Sequence, residues 1–359
     1  MSTISVCMIV KNEEKTLTRC LKGASKVADE LIVVDTGSDD STKSIAYSFT
    51  DNVFDFEWCD DFALARNYSF SKAKCDYIMW LDADDVLTDK AVSDINSLKA
   101  LLSEEKPDVV MMKYNTGFDS DGNVTFSYYR ERILKRHADF IWQGAVHEAI
   151  TPEGKIIYSD IGINHNSIKK TYTDRNLTIY EKLISSGKKL SPREQYYYAR
   201  ELWFNSRFTE AISVFDEFIQ RDDAWKENKI DACNDCSKCY LQLNDTERAL
   251  KQLFSSFVYD NPRAEICCSI GDIFLNGENY SQAAYWYETA LKCTKNEKSG
   301  AFIRPECYDF IPYIQLCVCY DRLGEHSIAE KYNEMAGKIK TNSKAVLHNN
   351  EYFRNLFKQ

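Results

Sequence analysis

The spacing of apolar positions changes at about residue 170. Before it, short apolar runs alternate with stretches of helical period. "ISVCMIV" (4–10), "ELIVVD" (30–35), "NVFDFE" (52–57) and "DYIMWLD" (76–82) read as strands. Between them, 12–24 has helical spacing at Leu17, Cys20 and Leu21, 40–49 reads as a capped helix, and 61–73 as a further helix. Buried strands separated by helices predict a parallel sheet with right-handed crossovers. Ligands of such sheets bind outside the carboxyl ends of the strands. Acids or turn residues follow three of those ends: Asp35 with Thr36, Gly37 and Ser38, then Asp60 and Asp61, then Asp82 to Asp85. Beyond residue 105 the pattern is less regular. Strands are expected at 107–115 and 128–136, followed by "WQGAVHEAI" (142–150) and "KIIYSDIGINH" (155–165).

After residue 170 only helical spacing remains, and it repeats. Asn205, Phe208, Ala211 and Phe215 recur as Gly277, Tyr280, Ala283 and Tyr287. A third copy has Gly324, Ala329 and Tyr332, with its first offset shifted, and a fourth has Ala249 and Leu253. Ala249 and Ala283 are 34 residues apart, the tetratricopeptide period; the other intervals are longer. The small Ala lets two helices approach, and the aromatic fills the gap between hairpins. The expected organisation is an α/β domain over 1–170 and a tetratricopeptide-like helical domain over 171–359. Such arrays make concave faces that hold peptides or pair with other subunits.

Charge and cysteine usage narrow the classes. A net charge of −10 argues against a nucleic-acid binder and against adhesion to an anionic membrane surface. The 13 cysteines are odd in number and lie largely in apolar or helical runs, so they read as reduced core residues of a cytoplasmic protein. The first residues show no basic leader, and no segment reaches bilayer-spanning apolar length.

The sharpest chemical signal is "IMWLDADD" (78–85), a buried run that ends in three carboxylates within four positions. Unpaired charges at a strand exit repel one another and cost desolvation energy, which a bound cation would relieve. Asp82 and Asp84 of the D-x-D project to one side of an extended segment. Two hard oxygen ligands suit Mg²⁺ or Mn²⁺, which also bind phosphate oxygens.

"ISVCMIVKNEE", "LIVVDTGSDDST", "DDFALARNYSFSKA" and "WLDADD" occur in the order and spacing of glycosyltransferase family 2, which the first 170 or so residues resemble. The resemblance implies a GT-A fold, an inverting transfer and a nucleotide-sugar donor. A family 2 domain followed by tetratricopeptide-like helices also resembles the glycocin glycosyltransferases, which modify Cys or Ser of a peptide. Site roles follow from the resemblance. Val10, Asn12 and Glu13 begin the nucleotide pocket. Asp35 matches the acid that holds the uracil ring, so UDP is favoured over CDP. Asp61, Arg66 and Asn67 lie on the helix before the fourth strand, with Arg66 a partner for phosphate or for Asp82. Asp82 and its neighbour Ala83 face the ribose or metal, and Asp84 is the direct metal ligand. His165, at a strand end, completes the metal shell; otherwise it is a polar strand-end residue. His147 and Glu148 occupy the acceptor side, where one of them removes the acceptor's proton. Trp142 stacks on a sugar or fills the core.

Cys233, Cys236 and Cys239 have C-x-x-C-x-x-C spacing but no fourth ligand, and read as core on a repeat helix. Two other classes compete. A nucleotidylyltransferase would open with a Gly-rich basic loop, which "VKNEEKT" is not. A scaffold with a relic nucleotide domain would not retain Asp35, Asp82, Asp84 and His165. The expected function is therefore hexose transfer from a UDP-sugar with Mn²⁺ or Mg²⁺. The acceptor is a peptide Cys or Ser/Thr or, alternatively, a lipid-linked sugar or glycan. The helices then either hold the acceptor or form a homodimer.

Overall fold

The computed structural model describes residues 1–119, 122–167 and 174–358. The chain forms two compact units, Met1–Glu194 and Gln195–Gln359. The 170/171 division read from the sequence lies outside the described residues.

The first unit is built on one eight-stranded sheet: β1 (Ile4–Val10), β2 (Glu30–Asp35), β3 (Val53–Asp55), β4 (Tyr77–Trp80), β5 (Asp85–Val86), β6 (Val109–Phe118), β7 (Val124–Lys135) and β8 (Ile156–His165). Their order is β3-β2-β1-β4-β7-β6-β8-β5. The parallel sheet expected from the sequence holds for β3, β2, β1 and β4. It becomes mixed where β7 pairs antiparallel with β4, because β6 and β7 form a long hairpin that inserts β7 beside β4. The exit loops of β1 and β4 lie side by side, where the strand order reverses.

Side chains of β1 alternate between two cores. Ile4, Val6, Met8 and Val10 join the apolar stripe Leu17, Cys20, Leu21 and Ala24 of helix α1 (Leu17–Ala24). Cys7 faces the other way, into a core with Ala63 and Phe70 of the helix at Phe62–Ser71 and with Trp80 and Trp142. Period-2 strands thus carry a helix layer on each face. Helix α2 (Thr42–Tyr47) follows β2, α3 (Phe62–Ser71) precedes β4, α4 (Asp89–Glu105) precedes β6, and α5 (Arg175–Ser185) follows β8.

The second unit is a run of helix hairpins: α6 (Pro192–Phe204, which begins in the first unit) with α7 (Phe208–Ile219), α8 (Lys226–Gln242) with α9 (Thr246–Ser255), α10 (Ala264–Asn276) with α11 (Tyr280–Ala290), and α12 (Phe310–Arg322) with α13 (His326–Ile339). Helix α14 (Lys344–Leu356) follows. Each hairpin turn has one left-handed residue: Ser206 (φ +60°), Asn244 (φ +59°), Glu278 (φ +59°) and Gly324 (φ +82°). Each precedes by five positions a fully buried alanine: Ala211, Ala249, Ala283 and Ala329. Counted from the turn, the third copy is not shifted, because Glu278 rather than Gly277 takes the left-handed turn. Only Gly324 of the four adopts that conformation without steric cost. At Gly271, a Cβ would come within 2.8 Å of the Tyr287 ring, so the aromatic of α11 packs against bare α10 backbone. Cys233, Cys236 and Cys239 are buried on α8, and burial pushes the Cys233 and Cys239 thiols up to about 11 and about 12. They line the interhelical core as expected.

Asp231 of α8 makes this unit pH-sensitive. Burial, reinforced by the Asp235 charge, pushes its carboxyl up to about 8, and its Oδ2 has no hydrogen-bond partner. The folded chain therefore holds a proton that the unfolded chain releases near pH 4, so stability falls as pH rises from about 4 to 8 and levels off above that. Asp231→Asn is expected to remove this slope, melting like the parent below about pH 4 and increasingly above it up to pH 8.5. Identical melting profiles across that range would show that Asp231 does not bind the proton.

Candidate active site

Two loops at the strand ends are tied together by hydrogen bonds. Asn12, after β1, has φ +55°. Its N–H donates to Ser38 Oγ at 3.0 Å, and its Oδ1 accepts from Asp39 N–H at 2.8 Å. Glu13 N–H donates to Thr42 Oγ1 at 2.7 Å. Asp35, at the end of β2, is buried. It accepts from the N–H groups of Gly37 and Ser38 at 3.1 and 2.9 Å and from the Ser38 hydroxyl at 2.5 Å. Three donors leave part of its acceptor capacity unused, since a carboxylate has about four lone-pair sites.

A cleft of about 420 Å³ opens between these loops and the exit of β4. Of the residues singled out in the sequence, Val10, Asn12, Glu13, Arg66, Asp82, Ala83 and Asp84 line it. Asp35 does not reach the wall itself; its neighbour Thr36 does. The cleft also has a face that the sequence reading missed, made by Trp58, Phe62 and Arg175. Trp58 and Phe62 meet edge to face at 4.7 Å, and the Arg175 guanidinium lies 4.8 Å from the Phe62 ring centre. The indole N–H of Trp58 is fixed on Asp60 at 2.9 Å.

Asp61 is not in the cleft wall. It caps α3, accepting from Leu64 N–H at 2.9 Å. Arg66, one turn further, is the hub of the site. Its Nη2 donates to Asp82 Oδ1 at 2.7 Å and its Nε to Glu148 Oε1 at 2.6 Å. The guanidinium lies between the Trp80 and Trp142 rings, 5.1 and 4.8 Å from their centres. Trp142 is therefore a buried wall behind Arg66 rather than a sugar platform. Asn67 clamps the Trp142 backbone at both ends, accepting its N–H at 2.9 Å and donating to its C=O at 3.0 Å. The rest of the 142–150 segment is held by Phe62 N–H on Ala145 O, by the Tyr180 hydroxyl on Val146 O and by Arg193 Nε on His147 O. His147 itself is left-handed, with φ +52°. Arg66 thus joins Asp82 at the strand exit to Glu148.

At the exit of β4 the chain turns rather than running extended: Asp85 N–H bonds Asp82 O at 3.0 Å. The D-x-D therefore sits on a tight turn, not on an extended segment as the sequence suggested. His165 is brought to it because Asp85 of β5 lies opposite His165 of β8 in antiparallel register. His165 Nδ1 lies 3.3 Å from both Asp84 Oδ1 and Asp85 Oδ1. One potential ligand atom from each of Asp82, Asp85 and His165 lies within 4.8 Å of the others, the one such group among the described residues. Burial pushes the Asp84 carboxyl up, and the Asp82 and Asp85 charges add to this. Burial opposes the charge of Asp82 too, yet Arg66 and Arg132 hold its carboxylate well below the ordinary range. His165 is raised although burial works against its charge, because Asp85 bonds it and Asp84 and Asp82 attract it. Carboxylate oxygens and one imidazole suit a divalent ion of the Mg²⁺ or Mn²⁺ kind, and Asp84, repelled by Asp82 and Asp85, is met by His165. Asp85, Tyr114 and Arg132 were not singled out from the sequence as site residues, although charges inside "YYRERILKR" are unusual for a buried strand.

No helix among the described residues is long and apolar enough to cross a membrane. Residues 5–153 match the model of Glycosyl transferase family 2. A TPR repeat-containing protein of Synechococcus elongatus is 33% identical over 150 residues, 42% of this chain and 36% of that protein. Glycosyltransferase SunS of Bacillus phage SPbeta is 26% identical over 258 residues, 68% of this chain and 60% of that one. The chain thus spans less than two thirds of the length of these relatives. Among solved structures, S. aureus TarS 1–349 in complex with UDP is 15% identical, with a TM-score of 0.40, covering 70% of this chain and 89% of that chain. Over residues 5–153 the chain is thus similar to Glycosyl transferase family 2.

Proposed function

We propose that the chain is an inverting, metal-dependent glycosyltransferase that moves a hexose from a UDP-sugar to a Cys or Ser/Thr side chain of a peptide. The observation that carries this reading is the gathering of the β1 loop, the β2 loop and the Asp82–Asp84 turn around one cleft, with His165 against that turn. Asp35, the neighbour of the wall residue Thr36, is the acid that the resemblance assigns to the uracil N3–H, and it keeps acceptor capacity for it. Asn12 and Glu13 shape the nucleotide end. Asp82, Asp84 and His165 hold the divalent ion, which when bound neutralises charge on the departing diphosphate. Glu148 and His147 stand on the acceptor side, where one of them takes the acceptor proton. A thiol acceptor would need the weaker base, since its pKa is lower than that of a hydroxyl. The peptide acceptor rests on the resemblance to glycocin glycosyltransferases and on the repeat helices, whose kind suits extended chains. The 13 free cysteines fit a reducing, cytoplasmic setting.

Incubation with a panel of UDP-sugars, Mn²⁺ and peptides bearing a single Cys, Ser or Thr tests this reading through UDP release and peptide mass. Release of UDP with sugar transferred only to glycan or lipid-linked acceptors would reject the peptide. Calorimetry should rank UDP above CDP and GDP, and Asp35→Asn should weaken UDP on the order of 10-fold by losing a hydrogen bond to a charged acceptor. Tighter binding of GDP than of UDP would refute the assignment of Asp35.

A further inference from the structure

Beneath the strand-exit turn lies a buried charge pair with no direct part in the proposed transfer. Arg132, in the middle of β7, has no exposed surface. Its guanidinium packs 3.6 Å from the Trp80 ring centre and 4.2 Å from that of Tyr114. Nη1 donates to Trp80 O and to Asp85 Oδ2, each at 3.1 Å. Nε and Nη2 are buried with no hydrogen-bond partner. The Asp85 side chain is equally buried, at 0% exposure. Besides Arg132 it accepts from Asp82 N–H at 3.0 Å, and its Oδ1 lies 3.3 Å from His165 Nδ1. The Tyr114 hydroxyl is 2.7 Å from the same nitrogen and 3.3 Å from Asp82 Oδ2.

An ion pair this deep, with two idle donors, is a poor source of stability compared with apolar packing. Its geometry instead fixes the groups around it. Asp85 Oδ1 and the Tyr114 hydroxyl both meet His165 Nδ1, so the ring is held at the strand-exit turn by groups on two other strands. The N–H of Asp82 is held by the same carboxylate, which sets the turn that carries Asp82 and Asp84.

We propose that Asp85 and Arg132 are positioning residues for the divalent-ion site: Arg132 fixes Asp85, and Asp85 orients His165 and the Asp82–Asp84 turn without itself binding the ion. This rests on the metal-dependent reading above. Asp85 stands close enough to serve as a ligand, but its side chain is fully buried and, unlike Asp82 and Asp84, it does not line the cleft. The two roles predict opposite effects of removing Arg132. If Asp85 were a ligand, loss of a neighbouring cation would free it and tighten the ion by Coulomb attraction alone. As a positioning residue, Arg132 is needed for affinity.

The test is titration with Mn²⁺ in the presence of UDP and without sugar donor, read by the electron-paramagnetic signal of free Mn²⁺. Arg132→Met, which removes the cation and leaves Asp85, and the double variant Asp85→Asn/Arg132→Met, which removes both charges together, are compared with the wild type. Both are expected to bind Mn²⁺ about 10- to 100-fold more weakly, the usual cost of losing an outer partner of a metal ligand. The double variant should melt near the wild type, because neither partner is left buried and unpaired. Mn²⁺ affinity equal to or tighter than wild type in Arg132→Met, or unchanged or tighter affinity in the double variant, overturns the proposal. A wild-type chain that binds no Mn²⁺ would instead remove the metal-dependent reading on which it stands.

Discussion

Asp84→Asn is expected to lower Mn²⁺-dependent UDP release from a UDP-sugar by about 10³-fold, the scale of losing a principal electrostatic contact to developing charge. The same variant should melt at or slightly above the wild-type temperature. Asp84 is the acid of the cluster whose charge costs most: burial raises its carboxyl, Asp82 and Asp85 repel it, and His165 is its one close cation. Asn has the same shape without that charge, so folding loses a repulsion while ion binding loses a ligand. This opposition makes the experiment informative, since a folding defect cannot imitate it. Turnover that keeps its full Mn²⁺ dependence in Asp84→Asn would take Asp84 out of the metal site. A lower melting temperature with lost turnover would give the residue a structural role instead.

The strand and helix alternation of the first unit was readable because the buried strands "ISVCMIV" and "ELIVVD" are nearly continuous in apolar residues. Their ends fall where the apolar runs stop, at Val10 and Asp35. The reading failed where pairing is decided at long range. Nothing local says that β7 enters beside β4 in the opposite direction, because that depends on the β6–β7 hairpin. In the second unit the repeat was visible through its small residues, Ala211, Ala249, Ala283 and Ala329. The turn positions were not, since three of the four left-handed residues are Ser206, Asn244 and Glu278 rather than Gly.

The site shows the same division. Asp82, Asp84 and Arg66 lie in short motifs within or beside one strand–helix unit, so spacing alone placed them together. His165 was reachable only through the resemblance, because the register that sets it opposite Asp85 is formed by two strands far apart in sequence, β5 and β8. Arg132 and Tyr114 carried a weaker signal, a charged and an aromatic residue in otherwise apolar strands. Their partners across the sheet give them meaning. Glu148 was read as an acceptor-side acid, and its attachment to Arg66 could not be read from residues 82 positions apart.

That attachment makes Arg66 the position where one substitution should cost both fold and function. Arg66→Met is expected to destabilise the first unit by about 3–5 kcal/mol, the usual result of breaking a buried pair from one side. For a unit of this size that lowers melting on the order of 10 °C. The guanidinium is 10% exposed and serves two carboxylates, of which Glu148 is also 10% exposed. Methionine fills the space between the Trp80 and Trp142 rings but leaves Glu148 buried without a partner and Asp82 with Arg132 as its remaining arginine. Lysine would keep one charge, but a single ammonium cannot reproduce a fork that reaches two acids with separate nitrogens. Adding Glu148→Gln to Arg66→Met should recover much of the stability, because the second buried charge is then gone. Transfer should stay lost in this double variant, because the link that sets Asp82 against the acceptor side is absent. Differential scanning calorimetry on both variants, beside peptide transfer assays, separates the two contributions. If Arg66→Met melts within about 2 °C of the parent, less than 1 kcal/mol for a unit of this size, the ion pairs do not hold the first unit together. If the double variant regains transfer along with its stability, Arg66 acts only as a structural brace and the coupling of Asp82 to Glu148 has no part in the reaction.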